Sequence, residues 1–332
     1  MKITMMNNKI SIEEIGSDYA AYRIPGLVLT NRNTLIAYYE CRGASASDWA
    51  DIDLKVIRSC DGGASWETAV LIPGKGSTLN NPVMIAEGER IHFLFCQDYQ
   101  RLYYCFSDDE GEHFSAPVEI SSTLSQADFF YNAVAIGPGH GIVHGGRLII
   151  PMWFACNPTK PKSHHPSVVG TLYSEDHGKS WRLGELLPMG ELKDPNESAM
   201  ASLPDGRVLL SVRNESPERM RAMAYSPTGI GDWSLPVLQP TLRDPVCQGS
   251  LFSQGGLLYH VNCDSNSTRE NLVLKISDDC FKTYRSILID EIGGYADLAV
   301  KDREVYVLYE RGALHGRGGL CFQRLTVEPF HL

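Results

Sequence analysis

Short apolar runs broken by polar turns recur through the whole chain, and helix-period patterning is poor throughout. The first unit shows the plan. Tyr22–Leu27 is an apolar run that turns at Asn31-Arg32-Asn33 and returns as Thr34–Glu40. A polar loop from Arg42 to Trp49 leads to Ile52–Arg58, and Thr68–Ile72 closes the unit. Four antiparallel strands in about fifty residues is the period of a propeller blade.

The same grouping continues. The second blade is expected at Pro82–Ala86, Arg90–Gln97, Arg101–Ser107 and Pro117–Ile120. The third takes Ala133–Gly137, Arg147–Ala155, Ser167–Ser174 and Leu183–Leu187. The fourth takes Glu197–Leu203, Arg207–Arg213, Ala222–Ser226 and Pro236–Gln239. The fifth takes Gly249–Ser253, Gly256–Val261, Asn271–Ser277 and Arg285–Ile289. The sixth has Tyr295–Val300, Glu304–Glu310 and Gly319–Val327, and Lys9–Ile15 supplies its fourth strand. The pattern therefore predicts an all-β, six-bladed β-propeller of four-stranded antiparallel blades, as a single domain over 1–332 closed by its two chain ends. Two stacked β domains are the alternative.

A repeated box supports the blade count. Ser59-x-Asp61-x-Gly63-x-x-Trp66 and Ser174-x-Asp176-x-Gly178-x-x-Trp181 are complete, and Ser107-x-Asp109-x-Gly111-x-x-Phe114 changes only the aromatic. Ser277-x-Asp279 ending in Tyr284, and Ser226 ending in Trp233, are eroded copies. Asp and Ser side chains bond nearby backbone N–H groups, Gly supplies positive φ, and the ring packs between neighbouring sheets. The boxes are read as fold-forming, with no catalytic role.

Strand direction then sorts the polar residues. Starts of first strands and loops between second and third strands share one rim, and the boxes lie on the other. Pairing across the Pro204-Asp205-Gly206 turn sets Glu197 opposite Arg213, and pairing across Lys301–Glu304 sets Tyr295 opposite Glu310. In the first blade Arg23 falls near Cys41 and Arg42. Asp48 and Arg269 sit in loops of the same rim. One such Glu–Arg neighbour is ordinarily a solvated pair of little energy. A whole set of arginines, carboxylates and a tyrosine around one mouth points to a binding or catalytic site.

Composition narrows the class. The 332 residues are 21% charged with a net charge of −10, which argues against a nucleic-acid partner but not against a local basic pocket for an anion. Met1 to Asp18 lacks the apolar core of a secretory leader, and no apolar run reaches membrane-spanning length. The nine cysteines are scattered without disulfide or metal spacing and read as reduced thiols. A cytoplasmic protein is expected, although a trimmed secreted form would read the same. His164-His165 shows no third ligand in the sequence, so no metal and no cofactor are expected.

The chain resembles the sialidase (neuraminidase) superfamily over nearly its whole length. The resemblance rests on Tyr22-Arg23-Ile24-Pro25, the Asp boxes, Gly137-Pro138-Gly139-His140-Gly141 ahead of Gly146-Arg147-Leu148-Ile149-Ile150-Pro151, and Leu308-Tyr309-Glu310. It implies a six-bladed propeller that removes terminal sialic acids, with retention, from oligosaccharides, glycoproteins or glycolipids. It also implies roles. Arg23, Arg213 and Arg269 would hold the sugar carboxylate, Tyr295 would be the nucleophile and Glu197 its base. Asp48, with Asp51 the alternative, would be the acid/base. Glu310 would orient Arg23, and Arg42 would bind a sugar hydroxyl or pair with Asp48, if it is not simply a surface residue. A tyrosine nucleophile is the known exception that sialidases make to the two-carboxylate glycosidase scheme. Asn80-Asn81-Pro82, Asp128–Tyr131 and Met152-Trp153-Phe154 are candidates for pocket lining or for core, and Cys247-Gln248-Gly249-Ser250 has no firm role. A non-catalytic sialic-acid-binding propeller remains open, as does a hydrolase or intramolecular trans-sialidase acting on a variant sialic acid.

Overall fold

A computed structural model describes residues 9–16, 18–312 and 319–328. The stretch read for a leader, Met1 to Asp18, lies outside the described residues at 1–8 and 17. Six small sheets form a six-bladed β-propeller. Blade 1 consists of Ala21–Leu29, Leu35–Arg42, Ile52–Ser59 and Glu67–Ile72, paired in that order. Blade 6 pairs Ala296–Lys301, Glu304–Arg311, Gly319–Thr326 and Lys9–Glu13, so the N-terminal strand closes the ring.

The inner strands of each blade are largely buried on both faces, because each is covered by two neighbouring sheets. Leu35–Arg42 is buried at every position. Its neighbour Ile52–Ser59 alternates over its first half, and Glu67–Ile72 at the outer edge is largely exposed. This radial gradient gives the propeller its core.

Two of the departures from the strand pattern expected from sequence bear on the blades' edges and the axis. Gly139–His140 adds a short parallel strand to Leu79–Glu87 of blade 2. His140 Nδ1 then meets the Asp297 carboxylate at 2.8 Å near the axis. The same carboxylate accepts the Leu27 N–H at 2.9 Å and the Ser250 hydroxyl, so one buried group joins blades 1, 5 and 6. Second, the outermost strands of blades 2 and 3 shrink to Val118–Glu119 and Arg182–Leu183.

The boxes build tight turns. Asp61 accepts the Ser65 N–H at 2.9 Å and the Ser65 hydroxyl at 2.6 Å, while Ser59 Oγ accepts the Gly63 N–H at 2.9 Å. Gly63 has φ +90°, and a Cβ there would lie 2.1 Å from the Phe322 ring of the next blade. The eroded copy at Ser277 keeps the geometry: Phe281 takes the glycine position at φ +61°, donating its N–H to Ser277 Oγ at 2.9 Å.

The Ser65 hydroxyl and N–H hold the Asp61 carboxyl down at about 2. A depressed folded-state value stabilises above the ordinary carboxylate pKa of about 4 and is lost as pH falls towards it. Asp61→Ala is therefore expected to lower Tm at neutral pH. The gap to wild type should shrink between about pH 4 and pH 2. Equal melting temperatures at neutral pH would contradict this role for the box.

Candidate active site

The residues singled out from the sequence converge on one cavity at the rim opposite the boxes. Arg23, Asp48, Glu197, Arg213, Arg269 and Tyr295 all line it. Their placement follows from the hairpins. Ser198 faces Val212, and beyond the ladder the Arg213 N–H donates to the Glu197 carbonyl at 3.1 Å. Ala296 faces Tyr309, and the Glu310 N–H donates to the Tyr295 carbonyl at 2.9 Å. Short turns fix both registers.

Tyr295 is buried at the centre. Its hydroxyl lies 2.8 and 2.7 Å from the two Glu197 carboxylate oxygens, and Arg213 Nη1 donates to it at 2.9 Å. Arg213 also pairs with Glu197 directly. Burial drives the Tyr295 phenol well above its ordinary pKa. The surrounding Arg213, Arg269 and Arg23 pull it down, and Glu197 pushes it up. The guanidinium carbons of Arg23 and Arg269 stand 5.1 and 5.0 Å from the Tyr295 ring centre. The hydroxyl is thus a neutral phenol with a carboxylate in contact and three cations nearby.

Glu310 fixes the first arginine. It accepts from Arg23 Nε at 3.1 Å, from the Ile24 N–H at 3.0 Å and from the Tyr295 N–H at 3.3 Å. Arg23 sits where the ladder breaks: Arg23 faces Glu40, and the register shifts before Gly26. Ile24 adopts φ +56° within this bulge. This corrects the expectation that Arg23 falls beside Cys41 and Arg42; Tyr22 faces Cys41, and Ala21 faces Arg42.

Arg42 is buried, not a surface residue. Its Nη1 donates to Asp48 at 2.7 Å and to the Ala46 carbonyl at 2.7 Å, while Nε and Nη2 meet Glu40 at 3.0 and 2.7 Å. The Glu40 carboxylate also accepts the Asn81 N–H at 2.9 Å. Sequence reasoning missed Glu40, which anchors the arginine that positions Asp48. Of the two aspartates, Asp48 lines the cavity, whereas Asp51 turns away and accepts the Gly76 N–H at 3.1 Å. Burial alone would raise the Asp48 carboxyl, but Arg42 and Arg23 hold it below the ordinary range. Arg23 Nη1 is 3.7 Å from it.

Tyr99, Trp153 and His164 also line the cavity. His164 packs against the rings of Trp49, Tyr99 and Trp153 at 5.7, 5.1 and 5.3 Å. Trp153 thus belongs to the lining and Met152 to the core. The Phe129 and Tyr131 rings pack on Phe154 and do not reach the cavity. Asn81 does reach it. Four buried polar atoms of lining residues, Arg213 Nε, Asn81 Nδ2, Trp153 Nε1 and His164 Nε2, have no hydrogen-bond partner among the described residues. Gln248 accepts the Ala296 N–H at 3.0 Å, which gives part of the Cys247–Ser250 motif a structural role. At the cavity edge Asp194 and Glu215 approach His165, with ligand atoms within 4.8 Å of one another. This is the only group of three His, Cys, Asp or Glu ligand atoms that lie so close together among the described residues, and no spacing in the sequence signals it.

The chain matches the BNR repeat-like domain family over residues 33–302. It is 26% identical to a sialidase of Bacteroides fragilis (strain YCH46), over 96% of this chain and 64% of that protein's length. The chain thus spans under two thirds of that relative. Among solved structures it is similar to Hadza microbial sialidase Hz136, with a TM-score of 0.83, 25% identity, and 96% and 68% of the two chains covered. It is also similar to Trypanosoma rangeli sialidase in complex with 2,3-difluorosialic acid, described as a covalent intermediate. There the TM-score is 0.75 at 18% identity, over 97% of this chain and 57% of that one, a likeness of fold.

Proposed function

The chain belongs to the sialidase/BNR-repeat superfamily, and from that membership we propose that it is an exo-α-sialidase acting with retention on sialylated oligosaccharides, glycoproteins or glycolipids. The observation that carries this reading is the Tyr295 hydroxyl at 2.7 Å from Glu197, ringed by three arginines in a protein of net charge −10. A protein that only bound sialic acid would need the arginines but not that contact.

Arg23, Arg213 and Arg269 hold the sugar carboxylate by charge-assisted hydrogen bonds. This fixes the anomeric carbon against Tyr295. A carboxylate nucleophile would bring a second negative charge towards the substrate's own, whereas Tyr295 approaches as a neutral phenol. Its oxygen bonds to the anomeric carbon as the glycosidic C–O bond breaks. Glu197 takes the phenol proton, and Asp48 gives a proton to the departing oxygen. In the second step Asp48 takes a proton from water, water oxygen bonds to the anomeric carbon, and the tyrosyl oxygen leaves and recovers its proton from Glu197.

Asp48 must be protonated for the first step, yet Arg42 and Arg23 favour its anion in the free site. The bound substrate corrects this. Its carboxylate engages Arg23 and adds negative charge close to Asp48, and both effects raise the Asp48 pKa.

Release of the fluorophore from an aryl α-sialoside tests the activity. NMR of sialyllactose cleavage then reads the product. The α-anomer of free sialic acid should appear first. No release, or first appearance of the β-anomer, would contradict the proposal, and an anhydro product would redirect it to intramolecular transfer.

A further inference from the structure

We propose that the groove running outward from Asp48 is a subsite for an anionic leaving-group sugar, with Lys160 and Lys162 recognising its charge. This inference rests on the sialidase reading and names a substrate class for it. The direction is set by the acid. A group that protonates the glycosidic oxygen must touch it, so the leaving sugar begins beside Asp48. Asp48, His164 and His165 line both the central cavity and a second groove, which continues past Trp49 and the 159–163 loop.

That groove has a platform and a charge. Trp49 is partly exposed and offers an aromatic face for a sugar ring. The Lys162 ammonium stands 5.5 Å from the Trp49 ring centre. The lysines are displayed on a braced loop. Asn157 Oδ1 accepts the N–H groups of Thr159 and Lys160 at 3.1 and 3.0 Å. Asn132 Nδ2 donates to the carbonyls of Pro161 and Ser163 at 3.1 and 2.9 Å. Neither lysine pairs with a carboxylate among the described residues. The groove's one carboxylate, Asp48, already faces Arg42 at 2.7 Å and Arg23 at 3.7 Å. In a protein of net charge −10, this leaves a locally positive channel at the exit of the site.

The anion can be the carboxylate of a second sialic acid or a sulfate on a hexose. Kinetics on α2,8-disialyllactose, a sulfated α2,3-sialyllactose and plain α2,3-sialyllactose separate the two. The readout is kcat/KM on each anionic substrate divided by that on plain sialyllactose. In Lys160→Ala/Lys162→Ala this ratio should fall about three- to tenfold for at least one anionic substrate, the scale of solvent-screened ion pairs. In the wild type the same ratio should fall as salt is raised, a reading that needs no variant. Ratios equal in wild type and variant, with no salt dependence, would overturn the subsite while leaving the sialidase reading intact. Failure to cleave any of the three, or an aryl α-sialoside, would overturn both.

Discussion

Tyr295→Phe is expected to lower kcat/KM on every sialoside by at least about 10³-fold, because it removes the atom that bonds to the anomeric carbon. The substitution is mild for the fold. The phenyl ring still lies 5.1 and 5.0 Å from the guanidinium groups of Arg23 and Arg269. Glu197 loses the hydroxyl but keeps its pairing with Arg213, so no buried carboxylate is stranded. The stability cost should be about 1–2 kcal/mol. Circular dichroism and a melting curve close to wild type, with sialoside binding retained, would locate the loss in the chemistry. Turnover within tenfold of wild type would remove Tyr295 from the role of nucleophile.

Asp48→Asn should divide substrates by leaving group. Asparagine cannot give the glycosidic oxygen a proton, and general acid catalysis contributes about 10²- to 10⁴-fold where the leaving group is poor. Sialyllactose turnover should fall by that amount. An aryl sialoside, whose phenolate departs unaided, should lose far less in the first step. The amide retains an oxygen that can accept from Arg42 Nη1, which donates to Asp48 at 2.7 Å in the wild type. The loop is thus expected to hold its place. Equal losses of kcat/KM, which reports the first step alone, on the two substrates would show that Asp48 positions the sugar and does not protonate it.

The parts of this site that short turns control were legible in the sequence. Two hairpins with compact turns place Glu197 against Arg213 and Tyr295 against Glu310, and the ladders have that register. Residue counting misplaces Arg23 by a residue or two because a bulge at Ile24 and Pro25 interrupts the ladder. Hydrophobic alternation does not register a bulge, and a left-handed isoleucine leaves no mark in composition. Glu40 was hidden for another reason. It lies in Leu35–Arg42, where every residue is buried, so an acidic side chain there reads as an ordinary strand position. Its anchoring role emerges only from its partners: Arg42 lies two residues on along the same face of the strand, and the Asn81 N–H reaches it through tertiary approach.

Long loops account for the rest. His164 lines the site, and His165 gains Asp194 and Glu215 as neighbours, through the course of the 157–166 connection. That course is set by a local Asx turn at Asn157, which accepts the Lys160 N–H, and by the Asn132 and Asn157 amides donating to the more distant carbonyls of Ser163 and His165. No local propensity encodes the carbonyl contacts. The short parallel strand Gly139–His140 was equally unreadable, since two residues carry no periodicity. The Asp boxes lay at the other extreme. Their chemistry is confined to eight consecutive residues, so even the copy with Phe281 in the glycine position could be found from sequence.

The tyrosyl mechanism stands on a covalent bond between the sugar and Tyr295, and a slow substrate reads that bond directly. A 3-fluorosialosyl fluoride carries a leaving group good enough for the first step, while its ring fluorine slows release of the sugar. Incubation with the wild-type protein, followed by proteolysis and peptide mass mapping, should place the added sugar mass on the peptide bearing Tyr295. The label should be absent from Tyr295→Phe. A label on Asp48 or Glu197, or turnover with no adduct at any residue, would contradict the tyrosyl mechanism.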